Sequence, residues 1–347
     1  MITPTRPPKL RDRVNQNLTR APDPRRLLLV SLDNLGDLVF ASALTPPLRR
    51  RFPNVSITLW CKRYTRDIGA LVPEVDRVIA ADPYWDRAPG QPRGSRLRFL
   101  SAMAQVRFGG FDTALLAAAP WRTARAVARC GIPIRIGLER RKNARWLTHA
   151  LDPEDVHRPV LAEEARLLEP FGVAAGEPLR YRLDASQLAD RPDVERALAG
   201  HVVALHPFAS KRARCVPVRV WLVVARELER RGFDPLWMGS TAELNEVRSS
   251  GGSAAWTYVD QFGGRLVDTA AALARAALFI GHDSGPLHVA GAFGVPAVGV
   301  FAPGEPDRTF PQGIGRSTII ARPSPEGITA AEIVDAALSL GAVTSGP

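Results

Sequence analysis

At 347 residues the chain is longer than one usual domain, so its length predicts two hydrophobic cores. Its content of 46% hydrophobic and 23% charged residues is ordinary for a soluble protein and argues against a disordered chain or a membrane protein. Three scattered cysteines without a CxxC pair argue against a disulfide framework and a zinc cluster. With no apolar stretch typical of a secretory signal, we expect a cytoplasmic protein.

The formal net charge of +11 is confined to the first half of the chain. Residues 1–172 hold 29 Lys and Arg against 17 Asp and Glu, whereas residues 173–347 hold 17 against 18. Such a field concentrates anionic partners: membrane phospholipid, an acidic acceptor or nucleic acid. The alternative is a solvated surface of an arginine-biased sequence, since only four of the 46 basic residues are lysine.

The first half begins with a Pro- and Arg-rich stretch, residues 1–24, that predicts a disordered basic arm. A buried strand and a turn follow, and then the beginning of a helix that two prolines disturb. Residues 83–98 are typical of a surface loop, and residues 157–171 have helical spacing. The predicted strands are residues 26–31, 55–60, 77–81, 111–118 and 134–138.

The second half repeats this alternation after a Gly-, Pro- and charge-rich segment, residues 173–200, in which we place an interdomain linker. Strands are predicted at residues 202–206, 235–238, 278–280 and 297–301, and helices at residues 220–231, 266–276 and 329–340. Two successive βα arrays predict two facing Rossmann-like domains with parallel sheets, over residues 25–172 and 201–347.

The stretch from Leu278 to Phe301 predicts a ligand site, because a strand meets a turn that opens a helix. Asp283 or Ser284 suits the N-cap position, and Gly294 suits the position after the helix end. Free N–H groups at such a helix N-terminus favour a phosphate, and Gly285 allows an anion to approach the backbone closely. The alternative is a well-capped buried βαβ unit in which His288 is an ordinary core histidine.

This stretch, HDSGPLHVAGAFGVPAVGVF, resembles the nucleotide-binding signature of glycosyltransferase family 9, the lipopolysaccharide heptosyltransferases. Its Asp-(Ser/Thr)-Gly-x-x-His pattern matches Asp283, Ser284, Gly285 and His288. Residues 27–60 resemble the opening of the same family, where Gly36 and Asp37 match an x-Gly-Asp turn. The resemblance implies a GT-B fold, with the acceptor bound by the first domain and the nucleotide sugar by the second.

Two further segments carry the resemblance. In residues 206–221, a gapless comparison places Ser210 on the family's loop Ser/Thr, Arg214 on its phosphate-binding Lys and Val216 on its Trp. Arginine keeps the charge, and Lys211 is an alternative phosphate ligand. Glu243 lies in a segment that resembles the family's Gly-x-x-x-Glu, whose carboxylate binds ribose hydroxyls; the alternative is an ordinary acid near a helix start.

Sugar transfer from a nucleotide requires a base for the acceptor hydroxyl and positive groups for the leaving diphosphate. We assign Asp37 as the base, with Asp33 in reserve and a helix cap as the alternative. Arg214, Lys211 and the N–H groups of the Ser284 turn would hold the diphosphate. No Asp-x-Asp pair follows a strand, so we expect no metal or other cofactor, and a single carboxylate implies inversion at the anomeric carbon.

The resulting hypothesis is an inverting, metal-independent transferase that moves a heptose from ADP-heptose to an anionic glycolipid such as lipopolysaccharide core. We expect it in the cytoplasm, with peripheral contact to the inner face of the membrane. A GT-B transferase for another nucleotide sugar and glycoconjugate is the first alternative. A nucleic-acid-binding protein is a more distant one, since charge is its only support and no nucleic-acid motif is present.

Overall fold

The computed structural model describes residues 20–87, 92–140, 142–152, 158–173, 178–188, 200–209, 211–260 and 265–340. Most of the expected basic arm (residues 1–24), more than half of the expected linker (residues 173–200) and the site candidate Ser210 lie outside these ranges.

The first domain is built on a six-stranded sheet in which every pairing is parallel. The strand order is β3-β2-β1-β4-β5-β6, so the chain reverses its direction of winding between β1 and β4. This is the doubly wound order of a Rossmann fold. The strands are β1 (Arg26–Ser31), β2 (Ser56–Cys61), β3 (Arg77–Ala80), β4 (Thr113–Leu116), β5 (Ile134–Leu138) and β6 (His149–Leu151).

Six α-helices connect or follow these strands in the described part of the first half. They are α1 (Leu35–Ser42), α2 (Thr45–Arg51), α3 (Arg66–Gly69), α4 (Arg96–Phe108), α5 (Trp121–Arg129) and α6 (Val160–Ala165), which a 3-10 helix (Arg166–Phe171) continues. The prolines expected to disturb the first helix instead begin α2, where a missing N–H group costs nothing.

The second domain repeats the same topology, with the strand order β12-β11-β10-β7-β8-β9 and parallel pairings throughout. Its strands are β7 (Val202–His206), β8 (Asp234–Gly239), β9 (Thr257–Asp260), β10 (Leu278–His282), β11 (Ala297–Phe301) and β12 (Ser317–Ala321). Its helices are α7 (Val218–Glu229), α8 (Thr241–Ser249), α9 (Leu266–Arg275), α10 (Gly285–Ala292), α11 (Pro306–Thr309) and α12 (Ala330–Ser339). Two facing doubly wound sheets confirm the predicted α/β, GT-B type fold.

Each sheet is covered on both faces, because successive side chains of a strand point to opposite sides. In β1, Leu27 and Leu29 pack into a cluster that continues into the second domain, whereas Leu28 and Val30 join α4 and α5 on the other face. The shared cluster contains Leu35 from one domain and Leu287 from the other. The two domains therefore meet through a continuous apolar core.

The interface is formed by the first turns of α1 and α10, and two glycines allow their close approach. A Cβ atom on Gly285 would lie 2.9 Å from Cδ2 of Leu35, and one on Gly36 would lie 3.3 Å from Cδ2 of His288. The expected linker contacts the other end of α10, since the Leu183 N–H donates to the carbonyl of Ala292, the last residue of that helix, at 3.0 Å. The two helix N-termini that the sequence analysis assigned to the two domains thus face each other.

Three strands were not predicted and one predicted loop is too long. Strands β6, β9 and β12 are sheet edges with few buried residues in a continuous run, so hydrophobic periodicity does not mark them. The surface loop expected over residues 83–98 gives way to α4 at Arg96, because Ser95 caps that helix by accepting from the Arg98 N–H.

Candidate active site between the two sheets

Both sheets present the carboxyl ends of their central strands to the interface. In the first domain, β1 is followed by the turn of residues 32–34 and by α1. In the second, β10 is followed by Asp283, Ser284 and α10. Each turn lies where its sheet reverses its winding direction, which is the usual binding crevice of a doubly wound sheet.

Asp37 is the third residue of α1 and lies partly buried at this crevice. Its Oδ2 accepts the backbone N–H of Asn34 at 3.1 Å, so Asn34 and not Asp37 holds the N-cap position. Burial, followed by the neighbouring charge of Asp33, raises the pKa of Asp37 from 3.8 to about 7. A carboxyl group with that pKa is suited to exchange a proton near neutral pH.

A buried lysine offsets part of this rise in pKa. Lys62 follows β2, is 2% exposed and places Nζ 2.6 Å from Oδ2 of Asp86 and 3.4 Å from Oδ1 of Asn34. Its charge favours the ionised form of Asp37. The crevice therefore holds Asp33, Asp37 and Lys62 within mutual electrostatic reach.

A second carboxyl group with a raised pKa lies on α6, which packs against α1. Glu164 is 2% exposed, and its Oε2 has no hydrogen-bond partner among the described residues. Burial, then the charge of Asp37, raises its pKa from 4.5 to about 8, so it is uncharged at neutral pH. Its neighbour Glu163 pairs instead with Arg140 at 2.9 Å and, across the interface, with Arg308 at 3.2 Å.

The second crevice is organised by two buried histidines that end β7 and β10. His282 accepts the Val216 N–H on Nε2 at 3.0 Å, which leaves Nδ1 to donate to the Val300 carbonyl at 3.1 Å. His206 Nδ1 lies 3.2 Å from the Ser284 hydroxyl. Burial lowers the pKa of His206 to about 3 and that of His282 to about 4, so both rings are neutral.

Ser284 is the N-cap residue of α10, as predicted, but its side chain does not cap the helix. The hydroxyl donates to the His282 carbonyl at 3.1 Å and lies against His206. Pro286 has no N–H group, and among the described residues no acceptor is bonded to the Gly285 N–H, which therefore remains available as a donor. The close approach that Gly285 permits in this structure is to Leu35 of the first domain, whereas contact with an anion stays a prediction.

The predicted phosphate-binding loop joins the same crevice, because the bond from Val216 to His282 ties its end to the carboxyl end of β10. Arg214 closes a short 3-10 helix, Arg212–Arg214, and is partly exposed; Lys211 is exposed. Arg212 pairs with Glu246 at 2.6 Å, which directs its charge away. Among the described residues no hydrogen bond or ion pair occupies the Arg214 guanidinium group.

Asp283 and His288, the remaining members of the helix signature, lie at the domain interface. Asp283 Oδ2 accepts the Thr309 hydroxyl at 3.1 Å, and its Oδ1 lies 3.7 Å from Nε2 of His288. His288 is 3% exposed, contacts the Tyr181 hydroxyl through Nδ1 at 3.0 Å and packs against Phe40 with ring centroids 4.7 Å apart. Its observed contacts are those of a core histidine, and donor contact stays a prediction.

Glu243 combines the two roles weighed from sequence. Its Oε2 accepts both the N–H and the hydroxyl of Ser240 at 2.8 Å, which makes it part of a capping box at the start of α8. It also lies near the loop after β7, because a Cβ on Gly239 would be 3.0 Å from Phe208 and 3.2 Å from Glu243. A ribose contact would use Oε1 and stays a prediction.

The sequence matches glycosyltransferase family 9 (heptosyltransferase) over residues 99–327. This match covers the whole second sheet and β4, β5 and β6 of the first, including the loop and the helix start described above, whereas the turn that holds Asp37 precedes it. The chain belongs to glycosyltransferase family 9. It is therefore a glycosyltransferase, as the resemblance predicted.

Individual relatives are distant. The family 9 chain is 23% identical over 297 residues to lipopolysaccharide heptosyltransferase 3 of Escherichia coli, covering 79% of this chain and 81% of that one. Its fold is similar to that of a family 9 glycosyltransferase from Veillonella parvula, with a TM-score of 0.78, 18% identity and coverage of 91% and 97%. It is also similar to E. coli heptosyltransferase WaaC with ADP, with a TM-score of 0.76, 16% identity and coverage of 91% and 99%.

Sequence reasoning missed several residues of this family 9 site: Lys62, Glu164, His206, His282 and Arg308. Lys62 directly follows β2, and His206 and His282 are the last residues of β7 and β10, so position at a strand end could have suggested them. Glu164 and Arg308 come close to the site only through the packing of α6 and α11. In the described ranges no cluster of three His, Cys, Asp or Glu side chains is arranged for a metal ion. None of the helices described there is long and apolar enough to cross a bilayer.

Proposed function

We propose that this family 9 enzyme transfers a heptose from ADP-heptose to an anionic glycolipid of the lipopolysaccharide core type. One observation carries the proposal: a carboxyl group with a pKa of about 7 and a helix N-terminus beside a basic loop occupy the two facing crevices. Proton acceptor and anion site thus lie on opposite domains, as transfer between two bound substrates requires. The heptosyltransferase relatives, one of them with ADP, support the choice of donor.

The reaction follows from these positions. The acceptor hydroxyl oxygen attacks the anomeric carbon while its proton passes to the Asp37 carboxylate. The bond from the anomeric carbon to the diphosphate oxygen breaks, and the nucleoside diphosphate leaves with the electron pair. Arg214, Lys211 and the Gly285 N–H stabilise the charge that develops on it. A single displacement inverts the anomeric configuration, and these groups supply the needed charge without a metal.

The acceptor side of the proposal rests on charge. The first half of the chain, residues 1–172, carries 29 basic against 17 acidic residues, so phosphorylated or acidic sugars are attracted to that domain. Because the glycolipid is embedded in a bilayer, we infer a cytoplasmic enzyme in peripheral contact with the inner membrane surface.

A panel of nucleotide sugars tests this function. Purified protein is incubated with ADP-heptose, ADP-glucose, UDP-glucose or UDP-N-acetylglucosamine and with a deacylated lipopolysaccharide core, with and without EDTA. We expect transfer from ADP-heptose alone, unchanged by EDTA, with an inverted linkage in the product. Transfer only from a UDP sugar would replace the donor assignment, whereas loss of activity in EDTA would overturn metal independence.

A further inference from the structure

The helix α4 has an unusual solvent-facing side, which is apolar although no described element covers it. Leu97 is 80% exposed, Leu100 is 55% exposed and Phe108 is 83% exposed. Four other described residues are large, apolar and exposed: Tyr84, which lies beside α4 against Phe99, and Val223, Ile314 and Ile319, which lie in the second domain. Three large exposed side chains on one 13-residue helix form a patch that monomeric surfaces normally avoid.

The spacing of these residues produces a stripe. At about 3.6 residues per turn, positions 97, 100, 104 and 108 fall within a sector about 80° wide. The opposite side carries Phe99, Ala102 and Val106, which are buried against the first sheet. Helix α4 therefore has two apolar faces, one packed on its own core and one turned to solvent. Core packing explains only the first.

The outer stripe is flanked by positive charge. Arg96 and Arg107 border it on one side and Arg98 on the other, all three exposed, and the helix contains no Asp or Glu. Arg96 also lies over the ring of Tyr84, with its guanidinium carbon 5.4 Å from the centroid. An apolar stripe between arginines, with a half-exposed aromatic beside it, is the composition of a surface that lies in a membrane interface.

The position of α4 suits the chemistry of the site. The chain leaves β3 at the carboxyl edge of the first sheet and returns through α4 to the amino end of β4. The N-terminal end of α4, with Leu97, is consequently on the same edge as the Asp37 crevice. A bilayer that contacts this end would present glycolipid head groups on the side where the proposed base lies.

We propose that the outer face of α4 docks the protein on an anionic phospholipid bilayer. Charge complementarity selects this occupant. A second copy would place three arginines of one helix against three of the other, and residues 1–19 carry a net positive charge, with Arg6, Lys9, Arg11 and Arg13 against Asp12. The inference adds a partner surface to the proposed function, but vesicle binding requires neither donor nor acceptor and is tested independently of transfer.

The first test measures co-sedimentation of the full chain with vesicles of phosphatidylcholine, alone or mixed with phosphatidylglycerol. The variant Leu97→Gln/Leu100→Gln/Phe108→Gln removes the stripe from positions that contribute little to the core. The control Val223→Gln/Ile314→Gln/Ile319→Gln changes as many exposed apolar residues in the second domain. We expect the stripe variant to lose about tenfold or more in partitioning to mixed vesicles, and the control to bind like the unmodified protein.

The second test separates charge from apolar contact. Arg96→Gln/Arg98→Gln/Arg107→Gln is compared with Arg50→Gln/Arg219→Gln/Arg230→Gln, which changes net charge equally at other exposed positions. We expect the α4 variant alone to lose the preference for phosphatidylglycerol. Added salt should weaken binding of the unmodified protein, because exposed charges are screened beyond about 10 Å at 0.1 M.

Three results would overturn the proposal: no sedimentation of the unmodified protein with mixed vesicles, equal sedimentation of the stripe variant, or equal loss in both apolar variants. If the stripe variant instead converts a dimer to a monomer in light scattering and binds vesicles normally, the face is a contact between copies. Transfer to a deacylated acceptor should be the same in all variants, so a failed transferase assay and a failed docking test are told apart.

Discussion

The two domains share one topology but surround their crevices with opposite chemistry. In the first domain, burial raises the pKa of two carboxyl groups at the crevice. The pKa of Asp37, after β1, is about 7, and that of Glu164, on α6, is about 8. In the second, the turn after β10 gathers neutral histidines, a helix N-terminus and a basic loop. The same strand order thus supports the proposed proton acceptor in one half and the proposed anion site in the other.

This difference shows where function resides in a doubly wound sheet. The backbone determines only that side chains after the central strands meet at a crevice. Which chemistry appears there depends on a few residues: Asp37 on the first turn of α1, Glu164 further along α6, and the backbone donors at the start of α10. Substitutions in the two crevices should therefore affect different properties of the protein.

The largest effect is expected from Asp37→Asn, which leaves the turn intact but removes the proton acceptor. Asparagine can still accept the Asn34 N–H, so melting temperature and donor affinity should be preserved. Turnover with the true acceptor should fall by about 10²–10⁴-fold, as is common when a general base is lost. Near-normal turnover would make Asp37 a structural residue of the α1 start and direct attention to Asp33.

The pH dependence of kcat/KM sharpens the same assignment. The active form is the carboxylate, so kcat/KM should rise about tenfold per pH unit below the pKa and level off above about pH 7. Asp33→Asn removes a charge that raises this pKa, and the midpoint should move to lower pH with the plateau retained. Loss of the plateau in Asp33→Asn would instead identify Asp33 as the base.

The buried Glu164 should make the protein less stable as pH rises. Its pKa is raised from 4.5 to about 8, so the folded state binds the proton more tightly than the unfolded chain does. Its contribution to the free energy of unfolding is therefore complete below about pH 4.5 and lost as pH approaches 8. Denaturant titrations of Glu164→Gln should show a flatter pH dependence, with the variant gaining on the unmodified protein between about pH 4.5 and 8. Parallel curves would contradict burial of this carboxyl.

A smaller loss is expected on the anion side. Arg214→Ala should weaken binding of ADP by about ten- to a hundredfold, the range for a charge-assisted hydrogen bond. Arg212→Ala is the matched control, because that arginine lies in the same short helix but pairs with Glu246. Calorimetric titration with ADP and UDP measures both. Equal affinities in Arg214→Ala and the unmodified protein would remove Arg214 from the diphosphate site.

The last expected effect is on folding stability and comes from the contact between α1 and α10. Gly285→Ala would bring a Cβ within 3.0 Å of three Leu35 atoms, so we expect a destabilisation of about 1–3 kcal/mol. Leu35→Ala removes two of those atoms and should recover part of the loss in a double-mutant cycle. Gly327→Ala, where no heavy atom lies within 4 Å of the new Cβ, is the control. Additive effects would show that α1 and α10 do not meet closely.

The central strands were predictable because buried parallel strands are uninterrupted apolar runs between turn residues. Arg26–Ser31, Ile134–Leu138, Val202–His206 and Ala297–Phe301 have the bounds read from sequence. Of the four edge strands of the two described sheets, β3 was predicted and the other three were not, since a strand such as β9 has no fully buried residue and its pairing depends on β8. The positions of Asp37 after β1 and of Ser284 after β10 were predictable for the same reason as the strands they follow, whereas their roles stay predictions.

The sequence by itself determined the doubly wound halves, the helix start at Ser284 and the family, because these depend on local order along the chain. Only the tertiary structure decided that the pKa values of Asp37 and Glu164 are raised, that His282 bonds the basic loop to the end of β10, and that His288 is enclosed between the domains. Those properties arise from burial and from contacts between residues far apart in sequence. Desolvation depends on what surrounds a side chain, and no spacing of residues along a chain reports it.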